Sequence, residues 1–367
     1  MGERSATRAL VVSRALARSL ARATSGEAPR RILVAHNLLL GDTLMLTPLL
    51  AKLRRNHPAA ELTLLASPAA VPLYEQRPYG VRVLPFKPSD SATARALLGE
   101  EPFDLAFVVG DNRYSWLAAA MRAGHIVAHS EDGRWSKNVF VDEARPYASK
   151  PAPWGEMVAN LADGEEPPRY TRSQWHAPGA ASFAIPSLPY AVLHVGASTP
   201  LKRWPARRWM ALALELERLG ITVAWSAGRG EEAIVSECDP SGRFASYAGK
   251  LDLAQMWHLI AHARLLVAPD TGIAHLGRVA FTPTVALFGP GSAPLCAPGE
   301  FWSAAPWHAV GPDPFPCRDQ PMLFGRRVEW VRRCTRTPEQ CALPRCMHAI
   351  ELGDILRVAE AYLQPVA

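Results

Sequence analysis

Short uninterrupted apolar runs alternate along the chain with longer stretches in which apolar residues return every third or fourth position. In the N-terminal half the runs fall at residues 30–36, 61–66, 81–84 and 103–109, and between the first two Leu44, Leu49, Leu50 and Leu53 keep helical spacing until Asn56-His57-Pro58. Runs with no polar alternation suit strands buried on both faces, and strands alternating with helices build βαβ units around a parallel sheet. The pattern restarts at Tyr190. It predicts strands at 191–195, 221–225, 265–268 and 284–288, a helix over 209–219 closed by Gly220, another over 253–263, and a third opened by Gly272 with Ile273, Leu276 and Val279 on one face. A last apolar helix over 350–363 is expected to pack back across the domains.

This alternation, set twice, predicts an α/β protein of two Rossmann-like, doubly wound domains facing each other across a cleft. The expected division is a basic amphipathic helix over 1–28, an N-terminal domain over 29–165, a Pro/Ala/Ser/Gly-rich linker over 166–189, a second domain over 190–310, and a Cys-containing segment with the C-terminal helix over 311–367. A chain of 367 residues with 49% hydrophobic content is too long for one ordinary core and supports that division.

Charge narrows the partners. The formal net charge of +6 suits acidic partners, among them nucleotide sugars, phosphorylated glycolipids and anionic headgroups. No run approaches the roughly 20 apolar residues of a membrane-spanning helix. At the start of the chain, Val12, Leu16 and Leu20 form one helical stripe, and Arg14, Arg18 and Arg22 run nearly opposite. That is the pattern of a helix lying on an anionic membrane surface, and also of a solvated tail or a transit peptide. Six cysteines, four of them between Cys317 and Cys346, do not make a secreted disulfide framework, so a reducing cytoplasm is expected.

Four candidate sites fall where predicted strands end, which is where open α/β sheets bind ligands. In the first, Gly41-Asp42 opens a helix, and an ionised carboxylate there can accept a proton from a hydroxyl or simply cap the helix. In the second, Ser198 and Thr199 with Lys202 offer hydroxyls and an ammonium to a leaving diphosphate. The third, Gly228-Arg229-Gly230-Glu231, carries Glu231 as an acceptor for ribose hydroxyls. With Ala233 it also satisfies G-x-G-x-x-A, and Asp252 lies about 20 residues on, so a nicotinamide enzyme is the rival reading. The fourth, Asp270-Thr271-Gly272 with His275, ends a strand on a helix N-terminus, where backbone N–H groups and the helix dipole attract phosphate. A capping role for Asp270 or Thr271 is the alternative.

These residues together resemble the heptosyltransferases of glycosyltransferase family 9. The likeness covers about residues 30 to 310. It rests on Leu40-Gly41-Asp42 with Thr47-Pro48-Leu49, on His194-x-Gly196-Ala197-Ser198 with Lys202-x-Trp204-Pro205 and Trp209, on Gly249-Lys250, on Asp270-Thr271-Gly272 with His275-Leu276, and on Phe288-Gly289-Pro290. The resemblance implies a GT-B fold and a metal-independent, inverting transfer of heptose from ADP-heptose to a lipopolysaccharide core or related glycolipid, with no cofactor required. It implies Asp42 as general base, Lys202, Ser198 and Thr199 as the phosphate loop, Glu231 on the ribose, and Asp270, Thr271, Gly272 and His275 on phosphates and sugar. The expected location is the cytoplasm, peripheral to the inner face of its membrane, and nucleic acid is not an expected partner. A different donor, a protein acceptor or a catalytically silent glycolipid-binding scaffold are the alternatives. The chain departs from the pattern at Asn37-Leu38-Leu39-Leu40, where small or polar residues are more usual, and Trp225 and Arg229 are expected to flank the nucleotide pocket.

Cys317, Cys334, Cys341 and Cys346 are close enough in sequence to hold a structural zinc or iron ion, although no C-x-x-C pair occurs among them. Reduced, partly buried thiols are the other reading.

Overall fold

The computed structural model describes residues 2–18, 28–130, 132–186 and 189–364. They form two compact units, Met1–Pro168 with Met322–Trp330, and Arg169–Pro321 with Val331–Ala367.

The first unit is built on six parallel strands: β1 (Arg31–Ala35), β2 (Glu61–Ala66), β3 (Val81–Pro85), β4 (Leu105–Val108), β5 (His125–His129) and β6 (Glu143–Arg145). Their order is β3-β2-β1-β4-β5-β6, with Ile32 opposite both Leu62 and Leu105. The helical stretch expected after β1 is two helices, α2 (Leu40–Leu44) and α3 (Thr47–Asn56). Pro48 explains the break: without an N–H it suits the first turn of a new helix and not the middle of an old one. Then follow α4 (Ser91–Leu98), α5 (Ser115–Ala120) and α6 (Trp154–Ala159).

The start of the chain forms α1 (Glu3–Arg18), which packs on α5 and α4. Its buried residues are Thr7 and Ala15, and Glu3 accepts a hydrogen bond from the Ser91 N–H at the start of α4. Val12 is half-buried and Leu16 exposed, so the stripe read from the sequence is not the face that docks. Leu20 and Arg22 lie outside the described residues.

The second unit repeats the plan with β7 (Tyr190–His194), β8 (Thr222–Ser226), β9 (Ala245–Ser246), β10 (Leu265–Pro269), β11 (Thr284–Leu287) and β12 (Trp307–Val310), ordered β12-β11-β10-β7-β8-β9. Its helices are α7 (Ala206–Arg218), α8 (Glu232–Cys238), α9 (Leu253–Ala261), α10 (Gly272–Val279), α11 (Ala293–Cys296), α12 (Arg345–His348) and α13 (Leu352–Leu363). Ile355 and Ala359 of α13 are buried in this unit's own core, beside Leu212, Leu216 and Val285.

In each sheet the strand order reverses between the first and fourth strands, β1 and β4 in one, β7 and β10 in the other. Loops leaving the carboxyl ends of such a pair diverge to opposite faces and open a crevice, the ligand position of doubly wound folds. The two-strand hairpin of β13 (Met322–Leu323) and β14 (Arg326–Arg327) completes the first unit from far along the chain.

Candidate active site

In the second unit, both loops at the sheet's switch point carry sequence-predicted residues. The loop after β7 holds Ser198, Thr199 and Lys202; the turn after β10 holds Asp270, Thr271 and Gly272. Lys202 Nζ donates to the Asp270 carboxylate at 2.8 Å and to the Asp270 carbonyl at 2.7 Å, which joins the two loops. Thr199 Oγ1 accepts from the Leu201 N–H and so shapes the turn that carries Lys202.

Thr271 is the residue before α10, yet its side chain makes no capping bond, and among the described residues its buried hydroxyl has no partner. The capping alternative therefore does not account for it. A buried polar atom left unsatisfied is costly, and here its residue lines a pocket of ≈ 310 Å³. The first N–H groups of α10 have no acceptor within their own helix, as at every helix start.

Ser198 and Glu231 line the same pocket with Gly196 and Gly228. Glu231 accepts from the Ala197 N–H at 3.0 Å and the Gly228 N–H at 2.8 Å, one through each carboxylate oxygen. It ties the loop after β7 to the loop after β8. A Cβ at Gly196 would lie 2.2 Å from Glu231 Oε2, so only glycine leaves room for this tie. The same bond occupies the Gly228 N–H, and Asp252 caps α9 in a reciprocal capping box with Gln255. Both supports of the dinucleotide reading thus have other partners. Trp225 is fully buried and bonded to Asp239, in the core and not beside the pocket.

His275 lies on α10, buried and stacked near Trp307, with Nδ1 unpartnered among the described residues. Burial, aided by the neighbouring Arg278, holds its pKa down at about 3, so it acts as a neutral imidazole near pH 7. A ligand atom from each of Asp270, His275 and Cys296 lies within 4.8 Å of the others, but a cation there would have to compete with Lys202 for Asp270. Tyr247, Leu253, Met256 and Ile273 give the pocket an apolar side suited to a flat base. The sequence reading missed Tyr247 because it follows β9, a strand of only two residues.

In the first unit, Gly41 and Asp42 sit in the first turn of α2, directly after the central strand β1. The loop after β4 adjoins it, since a Cβ at Gly110 would touch Leu38 and Phe324. Arg326, buried, extends from the hairpin between the loops after β4 and β5. It donates to the carbonyls of Gly110 at 2.6 Å and Ser130 at 2.7 Å and to Asn112 Oδ1 at 2.6 Å, with Asp132 at 3.7 Å. Nothing in the local pattern of Arg326 separates it from the arginines around it, so this clamp was not legible in the sequence.

Cys317, Cys334, Cys341 and Cys346 all line one pocket of ≈ 460 Å³ in the second unit. Burial, reinforced by charge on the other cysteines, raises the thiol pKa values of Cys317 and Cys346. Arg336 reaches the Cys317 carbonyl at 2.6 Å and the Cys334 sulfur at 3.8 Å.

The family model described as glycosyltransferase family 9 (heptosyltransferase) matches residues 93–301. A curated relative, lipopolysaccharide heptosyltransferase 1 of Pseudomonas aeruginosa, is 34% identical over 113 residues, which span 29% of this chain and 30% of that protein's length. A solved family 9 glycosyl transferase from Veillonella parvula superposes with a TM-score of 0.68 at 19% identity, covering 93% of this chain and 99% of that one. The E. coli ADP-heptose lps heptosyltransferase II superposes with a TM-score of 0.65 at 18% identity, covering 91% and 98%. At these identities the superpositions show a shared fold of two Rossmann-like units.

Proposed function

Because the chain belongs to glycosyltransferase family 9, we propose that it is an inverting glycosyltransferase that moves a heptose from ADP-heptose to the lipopolysaccharide core or a related glycolipid. One observation carries the reading: Thr271, whose buried hydroxyl is unpartnered among the described residues and which adjoins the Lys202–Asp270 pair, lines a pocket at a sheet's switch point. A diphosphate donor meets what such a site offers.

In this reading Asp42 takes the proton of the acceptor hydroxyl while its oxygen attacks the anomeric carbon on the face opposite the diphosphate. The bond from that carbon to the diphosphate oxygen breaks, and the electron pair leaves on the diphosphate. Lys202, the hydroxyls of Ser198, Thr199 and Thr271, and the first N–H groups of α10, Gly272 included, receive that charge. Asp270 keeps the ammonium placed before the donor arrives. His275, uncharged, contributes hydrogen bonding, and Glu231 fixes the glycine loops and accepts from the ribose. The chain thus supplies the positive charge for the leaving group itself, and the reading assigns no step to a metal.

The cysteine pocket supports a separate structural role. Four thiols line one cavity, but among the described residues no three of their sulfurs converge within 4.8 Å, so a single zinc or iron ion would have to draw them together as thiolates, and in doing so would stabilise the segment they come from. Metal analysis of the purified protein should give about one ion per chain, lost on Cys334→Ser with a lowered Tm. Protein without metal, in which all four thiols react with Ellman's reagent, would leave them as reduced cysteines.

No helix among the described residues is long and apolar enough to cross a membrane. The place assigned to the enzyme is the cytoplasmic side of the inner membrane, where a lipid-linked acceptor is within reach. The deciding experiment is a transfer assay with ADP-heptose and a heptose-deficient lipid acceptor, read by mass spectrometry, with ADP binding measured in parallel. Asp42→Asn should lower turnover by on the order of 10²–10⁴-fold and leave ADP binding intact. Full turnover in that variant would sink the base assignment. Stabilisation by UDP or GDP and not ADP would change the donor.

A further inference from the structure

Three large apolar side chains stand exposed on the carboxyl edge of the first sheet: Leu39 at 74%, Trp135 at 83% and Val139 at 47%. Leu39 lies in the loop leaving β1. Trp135 and Val139 lie in the loop leaving β5, which is parallel to β1 and ends on the same edge. The β5 loop is held firmly at that edge. Asn112 Nδ2 donates to Asn138 Oδ1 at 2.6 Å, Ser115 Oγ to the Lys137 carbonyl at 2.8 Å, and the Trp116 indole to the Ser136 carbonyl at 2.8 Å. Trp135 is therefore displayed by a fixed backbone. Arg326 bonds the loops after β4 and β5 together, and Leu38 abuts Gly110, so the loops act as one surface.

We propose that this edge docks on an anionic lipid bilayer, with Trp135, Val139 and Leu39 entering the interfacial layer. An exposed Trp is suited to that layer, since its ring is apolar and its N–H can stay among headgroups. The charges around the edge are complementary to anionic lipid. Arg134 is exposed on the β5 loop, Lys87 is exposed after β3, and Arg4 and Arg8 are exposed on α1, whose start is held at this edge by Glu3. Arg113 is exposed too but is paired with Asp111, and the nearby acids Asp111 and Asp132 both also pair with Lys137. A second copy of the chain is the weaker occupant. A stable protein interface needs about 800 Å² from each partner, whereas one aromatic and two aliphatic side chains supply a few hundred.

Asp42 opens α2 on the same edge, three residues after Leu39. A bilayer touched by Leu39 and Trp135 would thus present its lipid-linked molecules beside the proposed base. The inference rests on the transferase reading for that consequence alone; docking itself depends only on the exposed edge.

The test is co-sedimentation of the full chain with vesicles containing phosphatidylglycerol and, separately, with pure phosphatidylcholine vesicles, for the wild type, Trp135→Ser and Arg134→Glu. Wild type should pellet with the anionic vesicles, Trp135→Ser should bind them about tenfold or more weakly, and Arg134→Glu should also lose binding. Both variants alter exposed side chains, so an unchanged Tm is expected. Absence of wild-type binding, or equal binding by Trp135→Ser, overturns the proposal. So does a wild-type dimer in analytical ultracentrifugation that Trp135→Ser converts to monomer. Transfer to a detergent-dispersed acceptor is measured alongside: its failure in the wild type counts against the transferase reading and leaves the vesicle result standing.

Discussion

In each unit a single side chain ties one switch-point loop to the loop of a neighbouring strand, and each does so by accepting or donating more than one hydrogen bond. Glu231 bonds two loop N–H groups, at 3.0 and 2.8 Å. A Gln at that position keeps one acceptor oxygen and turns the other contact into a clash of donors. We expect Glu231→Gln to weaken donor binding by about tenfold or more, corresponding to one charge-assisted bond of roughly 1.5–3 kcal/mol. Calorimetric titration with ADP measures this, and unchanged affinity would mean that the glycine loops keep their shape without Glu231. Arg326 is the counterpart in the first unit. Arg326→Met would leave the Gly110 and Ser130 carbonyls and Asn112 Oδ1 short of a donor in a buried place, while Asp132 keeps Lys137 and the Asn112 N–H. The expected loss is about 3–5 kcal/mol of unfolding free energy, from several buried acceptors each losing a charge-assisted bond of roughly 1.5–3 kcal/mol. Urea denaturation decides it, and a variant as stable as the wild type would show that the hairpin docks without this guanidinium.

At the scale of elements, α10 shows why a helix start can serve as a site. The helix is seated directly on the sheet by Gly277, where a Cβ would come within 2.4 Å of Thr284 Oγ1 and 2.5 Å of Leu266 Cδ2. Gly277→Ala should therefore lift α10 away from β10 and β11, cost about 1–3 kcal/mol as overpacking does, and weaken ADP binding through the displaced helix start. Paired thermal-shift and binding measurements test this. A stable variant with normal ADP affinity would show that α10 tolerates the added methyl. The same helix was legible in the sequence because everything that defines it is local: an apolar run, Asp-Thr-Gly, then Ile273, Leu276 and Val279. The central strands β1, β2, β7, β8, β10 and β11 were legible for the same reason, being apolar on both faces. β6 and β9 were not, since an edge strand reading Glu-Ala-Arg and a strand of two residues carry no such run. Long-range partnerships were hidden altogether. The Arg326 clamp joins positions about 200 residues apart in sequence, and the gathering of four cysteines depends on loop paths that no spacing rule contains.

At the scale of the whole molecule, four buried histidines link stability to pH. His36 and His129 lie in the first unit, His194 and His275 in the second. Burial lowers their pKa values to about 3, 3, 4 and 3 respectively. In the unfolded chain each titrates near 6.5, so below that pH the unfolded state binds protons that the folded state refuses, and stability falls as pH falls. Above about 6.5 both states are neutral at these positions and the effect vanishes. The window runs from about 6.5 down to the folded values, and at pH 5 each histidine can remove at most about 2 kcal/mol. Against a typical total of 5–15 kcal/mol, four such terms, at most about 8 kcal/mol together, remove a large share of the stability in mild acid. Carboxylates held low by ion pairs, such as Asp163 beside Arg145, titrate at lower pH and do not enter this window. Urea midpoints at pH 7.5, 6.5, 5.5 and 5.0 should be flat between the first two and decline steeply afterwards. His194→Asn, whose amide stands where Nδ1 stood and can keep the hydrogen bond to Ser226 at 2.9 Å, should shallow that decline by about a quarter. A midpoint that holds steady down to pH 5 would mean that these imidazoles gain water or a counter-charge in the folded state, and the buried network around His275 would then need a different protonation at the donor site.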